Sequence, residues 1–522
     1  AWEAMSLTSY FLVAFEDLES QVRRAGLLYL VASHFGAACL LLLFPLMAGG
    51  TGAFHFSDFA AVQRAPGVAT ACFMLALAGF GLKAGLWPLH FWLPEAHPAA
   101  PSHVSALMSG AMIEMGIYGL LRVLPMVSVP PTWWGLALAA VGGVTALFGV
   151  LGAVTQRDLK RVLAYSSVEN MGIVAMAAGA GFLGRAAHHP QMAILGFGAA
   201  LTHLLNHGLF KGLLFQCAGA IFHGTGTRDL ERLGGLRTAM PMTGALFLTG
   251  AIAACGLPPL NGFPGEWLLF RSAFAGLGGH SASGALVGAL GMAALALVGG
   301  LAAAAFARAH GVVFLGLPRS PDSPRAHETP LGELMPMALG AALCLALGLF
   351  PGIVLGLVAP AAAALSGAPP SSARLLLSAN GVPSALLVLV ALAAGLALLR
   401  SWLLSGRDVR SGPVWGCGYE QPDARMQYTA ASFPEPAATS FGTLLRSSEA
   451  GERPAGYFPA SSSSEERLDD LAADGFLAPA LAKFAEAMRG VRRFQPGRVQ
   501  IYLVYVFATV LVLLVWQVGG AW

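Results

Sequence analysis

Charge is what this sequence has least of. Only 11% of its 522 residues are Asp, Glu, Lys or Arg, against 56% hydrophobic, and the mean hydropathy is +0.67. A soluble domain carries about a quarter charged residues, so the shortage places most of the chain in lipid. The net charge of +3 offers no basic surface, and no nucleic-acid partner is expected. Cysteine is scarce as well. The six, Cys39, Cys72, Cys217, Cys255, Cys344 and Cys417, form no Cys-x-x-Cys and no Cys/His cluster, which argues against zinc or iron–sulfur sites in this chain. Five of them lie in apolar segments, which argues against an oxidised scaffold. No Gly-x-Gly-x-x-Gly before a strand, no P-loop and no Ser/His/Asp layout occurs, so neither covalent chemistry nor a cofactor bound by this chain is expected.

What is present is long apolar runs with a few charges inside them. A membrane-crossing helix needs about 20 mostly apolar residues, and about twelve runs qualify: 1–16, 24–48, 68–92, 103–126, 131–154, 161–182, 190–220, 238–275, 283–308, 331–360, 382–403 and 500–518. The first run opens directly in AWEAMSLTSYFLVAF, and residues upstream of it are expected. With 17–23 on the cytoplasmic side and strict alternation, that side receives Arg23, Arg157, Lys160, Arg161, Arg228, Arg232, Arg237, Arg308, Arg319, Arg325 and the whole 404–499 segment. The other side receives Arg64, Arg122, Arg185 and Arg374. The asymmetry follows the positive-inside rule.

Lys83 stands in GLKAGLWPLHFWLPEAHPAAPSHVSALMSG, where Pro88 and Pro94 interrupt an apolar helix. A buried lysine is costly unless it is paired or lines a wet cavity. A broken helix at membrane depth leaves backbone groups that only protein or water can satisfy. A second interruption, CGLPPLNGFPGEWLLF, carries Pro258, Pro259, Pro264 and Glu266. Interruptions paired between two halves of a chain mark transporters built from inverted repeats.

The run ALTHLLNHGLFKGLLF places His203, His207 and Lys211 four residues apart, stacked on one helical face. Histidine titrates near neutrality, and a lysine held out of water can load and release a proton in the physiological range. Three such groups in line form a candidate relay. The His-x-x-x-His spacing also suits a metal, but no third ligand stands near and the lysine would repel a cation. Glu3, Glu114 and Glu169 are further ionisable groups inside apolar runs. Glu3 reads equally as a helix N-terminal carboxylate, and Lys160 as an interfacial lysine. Burying an unpaired Glu114 carboxylate is expensive, so it is expected to be protonated or paired, with Lys83 a candidate partner. Ser166, Ser167 and Asn170 could hydrate Glu169. The polar segment 404–499 holds Leu477, Leu481, Phe484 and Met488 at helical spacing, one face of an amphipathic helix that could lie on the membrane, on a neighbouring subunit or on this chain itself.

KAGLWPLHFWLPEAHPAAPSHVSALMSG, DLKRVLAYSSVENMG, HLLNHGLFKGLLF and LPPLNGFPGEW occur in that order. Together they resemble the antiporter-like membrane subunits shared by respiratory complex I, Mrp-type sodium/proton antiporters and membrane-bound hydrogenases, over roughly residues 1–316. HGVVFLGLPRS, WGCGYEQPDARMQYTAASFPEP and the closing GRVQIYLVYVFATVLVLLVW are similar to the B-type subunits of hydrogenase-4 and formate hydrogenlyase complexes. The resemblance implies an all-α polytopic protein with two inverted five-helix repeats, each with one broken helix. Residues 1–126 would be the remainder of the first repeat and 127–312 the second. Residues 313–403 would be additional membrane helices, 404–499 a polar cytoplasmic segment and 500–522 a last membrane helix.

The resemblance also implies roles. Glu3 matches the carboxylate before the first broken helix and would switch together with Lys83. Lys160 matches the lysine connecting two half-channels. His203, His207 and Lys211 match the central relay, and Glu266 the terminal proton group. Two departures stand out: Ser109 replaces a histidine of complex I's largest pumping subunit, and Glu114 stands where some relatives have lysine. The implied function is proton translocation in a bacterial or archaeal cytoplasmic membrane, coupled to redox chemistry in partner subunits that carry [NiFe] and iron–sulfur centres. The chain would have no redox centre of its own. A complex I-like subunit, a sodium/proton antiporter subunit, a subunit of an ion-uptake complex on the same fold and a non-conducting membrane anchor are the alternatives.

Overall fold

The structure, a computed structural model, describes residues 1–50, 52, 55–279, 282–319, 326–369, 372, 382–407, 424, 426–432, 440–442, 447–451, 464–468, 475, 478–489 and 499–519. They are nearly all helical and form two compact units, Ala1–Ser447 and Ser448–Trp522. In chain order the helices are α1 (Trp2–Val13), α2 (Ser20–Ala48), α3 (Phe56–Phe59), α4 (Pro66–Ala84), α5 (Leu93–Ala99) and α6 (Ser102–Leu107). A π-helical turn (Met108–Met112) leads into α7 (Glu114–Val127), α8 (Thr132–Thr155), α9 (Leu159–Ala186) and α10 (Pro190–Thr225). Then come α11 (Pro241–Ala254), α12 (Gly262–Leu277), α13 (Ala282–Phe314), α14 (Leu331–Leu349), α15 (Gly352–Ser366) and α16 (Val382–Leu404). Later in the chain are a short strand pair, Ser447–Gly451 and Ser464–Leu468, α17 (Ala478–Met488) and α18 (Val499–Gly519).

Every expected run contains helix, and among the described residues eight helical segments are long and apolar enough to cross a membrane unaided. One run differs from expectation. The 331–360 span is divided into α14 and α15, with Phe350 and Pro351 between them, because a proline cannot donate the helical hydrogen bond that continuation needs. The expected amphipathic helix is α17; Leu477 and Cys417 lie outside the described residues.

The tightest pairing is α8 against α9. Gly135, Gly142 and Gly149 recur every seven residues on α8, facing Gly172 and Gly179 on α9. A Cβ at Gly142 would lie 2.7 Å from the Gly172 carbonyl oxygen, and one at Gly149 2.7 Å from the Glu169 Cα. Small residues let backbones touch where lipid supplies no hydrophobic drive. The spacing therefore fixes both the crossing and the depth of Glu169.

Both expected breaks are present, each opening on a glycine in the left-handed region, Gly85 (φ 76°) and Gly256 (φ 63°). Pro88, Pro258 and Pro259 lie in the gaps. Pro94 and Pro264 instead stand in the first turns of α5 and α12, where a missing N–H costs nothing. Freed backbone groups find partners. At the first gap Trp92 Nε1 donates to Leu82 O at 2.9 Å, and Trp87 N donates to Thr145 Oγ1 at 3.0 Å. At the second, Leu257 N donates to Ile252 O at 3.3 Å, while Asn261 Nδ2 donates to Asn206 O at 3.2 Å.

The arginines find local partners. Arg64 donates to carbonyls of Met47, Phe59, Met126 and Val127. Arg161 pairs with Glu95, Arg228 with Asp158 at 3.2 Å and with Pro98 O, and Arg319 donates to Tyr428 O. Arg308, read from sequence as a loop charge, is fully buried within α13. It donates to Gln156 O at 2.7 Å, Ala153 O at 3.0 Å and Ala430 O at 3.3 Å. A cation there meets the negative end of α8.

Candidate functional site

The ionisable residues singled out in the sequence are deeply enclosed. Lys83, Lys160, Glu169, His203, His207 and Lys211 are each at most 2% exposed, and Glu114 is also buried. Lys83 ends α4 at the first break. Its Nζ donates to Tyr29 Oη at 2.9 Å and Ser6 Oγ at 3.3 Å. Neither expected carboxylate touches it. Glu3 Oε2 lies 3.6 Å from His34 Nδ1, with 46% and 55% of the two side chains exposed. Glu114 Oε1 lies 3.2 Å from His207 Nδ1. The latter contact arises because Gly110, in the π turn, and Gly208 pack backbone to backbone: a Cβ at Gly208 would fall 2.7 Å from Gly110 O. The π turn rotates the following helix so that Glu114 faces α10, and such turns mark functional sites.

The α10 stack is therefore shared among neighbours. His203 Nε2 meets Asn170 Oδ1 at 2.9 Å, and Lys211 Nζ donates to Leu163 O at 3.1 Å, both on α9. Gly265 of α12 presses on His203, its would-be Cβ 2.8 Å from Nδ1. Lys160 is not interfacial: it donates from inside to Ala100 O at 2.7 Å, at the end of α5. Ser109 Oγ and Ser167 Oγ are 2.7 Å apart. Glu266 is half-buried, with its carboxylate lying on the backbone of Gly256 at the second break.

Several buried polar atoms near this line have no protein partner: Thr202 Oγ1, His207 Nε2 and both ring nitrogens of His97. Atoms of this kind are satisfied by water, so the arrangement suits a hydrated file of proton-carrying groups. Among the described residues no three His, Cys, Asp or Glu side chains gather as a metal site.

The NADH:quinone oxidoreductase/Mrp antiporter transmembrane family matches residues 1–279. The chain belongs to this family. It is an antiporter-like, proton-translocating membrane subunit, polytopic and integral to the membrane. It is 37% identical to hydrogenase-4 component B of Escherichia coli (strain K12), over 98% of this chain and 79% of that protein. It is 36% identical to formate hydrogenlyase subunit 3 of the same organism, over 72% and 60% respectively. Among solved structures, a chain of the membrane-bound sulfane sulfur reductase, an archaeal respiratory membrane complex, shares the fold. Its TM-score is 0.72 at 24% identity, over 98% of this chain and 79% of that one.

In this antiporter-like chain the structure also adds residues that the sequence reading passed over. Tyr29 and Ser6 hold Lys83. Asn206 and Asn261 join α10 to the second break. His97, stacked on Phe215 at 4.8 Å between ring centroids, lies within electrostatic reach of both Lys160 and Lys211. His97 carries a sequence signal, standing in PEAHPAAPSH within the first broken segment; the hydroxyl groups carry none comparable.

Proposed function

We propose that this chain is the proton-translocating membrane subunit of a membrane-bound [NiFe] hydrogenase of the hydrogenase-4 or formate hydrogenlyase type, in a bacterial or archaeal cytoplasmic membrane. The [NiFe] and iron–sulfur centres would reside in partner subunits, which bind this chain from the membrane and from the cytoplasmic side. One observation carries the reading. Buried ionisable groups extend from Lys83, through Glu114 and His207, to Lys211 and His203, with Lys160 and Glu169 beside them and the partly exposed Glu266 beyond. An anchor gains nothing from such groups, since well-packed apolar residues in their place would be as stable or more so.

The mechanism is electrostatic. Redox chemistry in a partner moves charge near Glu3, which exchanges between His34 and Lys83. At an effective dielectric constant of about 20, charges ~8 Å apart interact by about 2 kcal/mol. That suffices to favour one pairing of Lys83 over another. The change passes through Glu114–His207 to Lys211, with Lys160 and Glu169 as the loading side, and a proton leaves at Glu266. Similarity to Na(+)/H(+) antiporter subunit A1 of Staphylococcus saprophyticus, 33% identical over 72% of this chain, makes sodium the coupling ion to test against protons.

The test uses the assembled complex in membrane vesicles. Lys83→Met and Lys211→Met variants are expected to assemble, to keep the partners' redox turnover and to lose proton release almost completely. Variants that pump like the parent sink the reading. Sodium-dependent translocation moves it to the antiporter type, and co-purification with quinone-reducing rather than hydrogenase subunits moves it to a complex I-like machine.

A further inference from the structure

Lys83 sits at the first break without a carboxylate against it, because Glu3 is turned to His34. Its ammonium is held by neutral hydroxyls. Tyr29 Oη accepts at 2.9 Å, the Tyr29 ring centroid is 5.0 Å from Nζ, and Ser6 Oγ accepts at 3.3 Å. Tyr29 is completely buried on α2, and Ser9 and Ser33 also face its hydroxyl. The phenol proton has a destination of its own, Met112 Sδ at 3.5 Å, and the ring leans on Trp92 with centroids 5.2 Å apart. One side chain thus touches the lysine, the tryptophan that seals the gap and the π turn.

Two consequences follow. A cation whose carboxylate swings away inside a membrane protein is left unpaired, at high cost. A phenol that accepts its hydrogen bond, with a ring face beside it, lowers that cost without adding charge. Met112 also closes the π turn two residues before Glu114, whose carboxylate meets His207. A shift of Lys83 that moves the phenol therefore pushes on the backbone that sets the Glu114–His207 contact.

We propose that Tyr29 is a positioning residue for Lys83: it receives the ammonium when Glu3 pairs with His34, and through Met112 it links the first break to the Glu114–His207 pair. The proposal rests on the reading of Lys83 as a proton-carrying group.

The experiment compares three forms of the assembled complex in vesicles. Tyr29→Phe keeps the ring and its packing and removes the hydroxyl; assembly is retained and proton release falls roughly tenfold or more, the size of a lost hydrogen bond to a charged group. Site-specific 3-fluorotyrosine at position 29 keeps the shape and makes the phenol more acidic, so the pH profile of proton release shifts from that of the parent; a phenol with a merely structural role leaves it unmoved. Lys83→Met is measured alongside. If Lys83→Met is inactive while Tyr29→Phe and the fluorinated form match the parent in rate and profile, the role of Tyr29 is overturned and the function of the chain stands. If Lys83→Met itself pumps normally, the functional reading falls first. Should Tyr29→Phe fail to assemble, the fluorinated form decides alone.

Discussion

At the first break the ionisable residue comes before the gap and is sealed; at the second, Glu266 comes after it and is partly exposed. Both gaps begin on a left-handed glycine, yet their surroundings differ. Around Lys83 are hydroxyls and aromatic faces from α1 and α2. Glu266 lies on bare backbone at Gly256, with the Asn206–Asn261 amides close by along the chain. An enclosure of neutral hydroxyls suits a group that must hold a charge between events. A partly exposed carboxylate resting on backbone suits a group that must exchange its proton. On the proposed function, similar backbone devices would serve two tasks, with the side chain's place before or after the gap deciding which.

That comparison can be broken. Gly85→Ala and Gly256→Ala each force a side chain into the left-handed region, at about 1–2 kcal/mol. Thermal unfolding of the purified complex should register a similar loss for both. Proton release should separate them. The methyl at position 85 meets only the movable tip of Leu93, 2.8 Å away, whereas at 256 it overlaps the Glu266 carboxylate. Gly256→Ala is expected to lose roughly tenfold or more in translocation, as displaced reacting groups do, and Gly85→Ala little beyond its stability cost. Equal translocation in the two would erase the distinction.

A smaller effect concerns how each gap is satisfied. Thr145→Val leaves the Trp87 N–H without its acceptor inside the first gap and should destabilise by about 1–3 kcal/mol. Asn261→Ala removes two long hydrogen bonds to Asn206 and should cost about 1 kcal/mol. A reversed order in thermal melts would mean that the second gap, not the first, depends more on its polar supports. The smallest effect is at the surface. Glu95→Gln breaks the partly exposed pair with Arg161 and should change stability by under about 1 kcal/mol. A larger loss would show that this pair, rather than Lys160, fixes the end of α5.

Lysines and stacked histidines inside apolar runs were plain in the sequence, because charge is rare there and four-residue spacing survives into the helix. Their partners were not. Lys83 meets groups 54 and 77 positions away, and Glu114 meets His207 across 93. Local pattern carries no record of such distances, so the sequence points Glu114 to Lys83 and not to His207. Serine and tyrosine are unremarkable in a membrane helix, which hid Tyr29 and Ser6. The π turn has no spacing signature of its own. The interruption at Phe350–Pro351 did have one, LGLFPG, and the seven-residue glycine repeat on α8 was equally visible; neither stands out against a chain holding 65 glycines.

The glycine seam between α8 and α9 bears on speed. Two helices in backbone contact cannot slide or rock against each other without collision, so this part of the protein behaves as a fixed post. A carrier that must swing its halves is paced by slow collective motion. Side chains and water beside such a post can rearrange without any relative motion of α8 and α9.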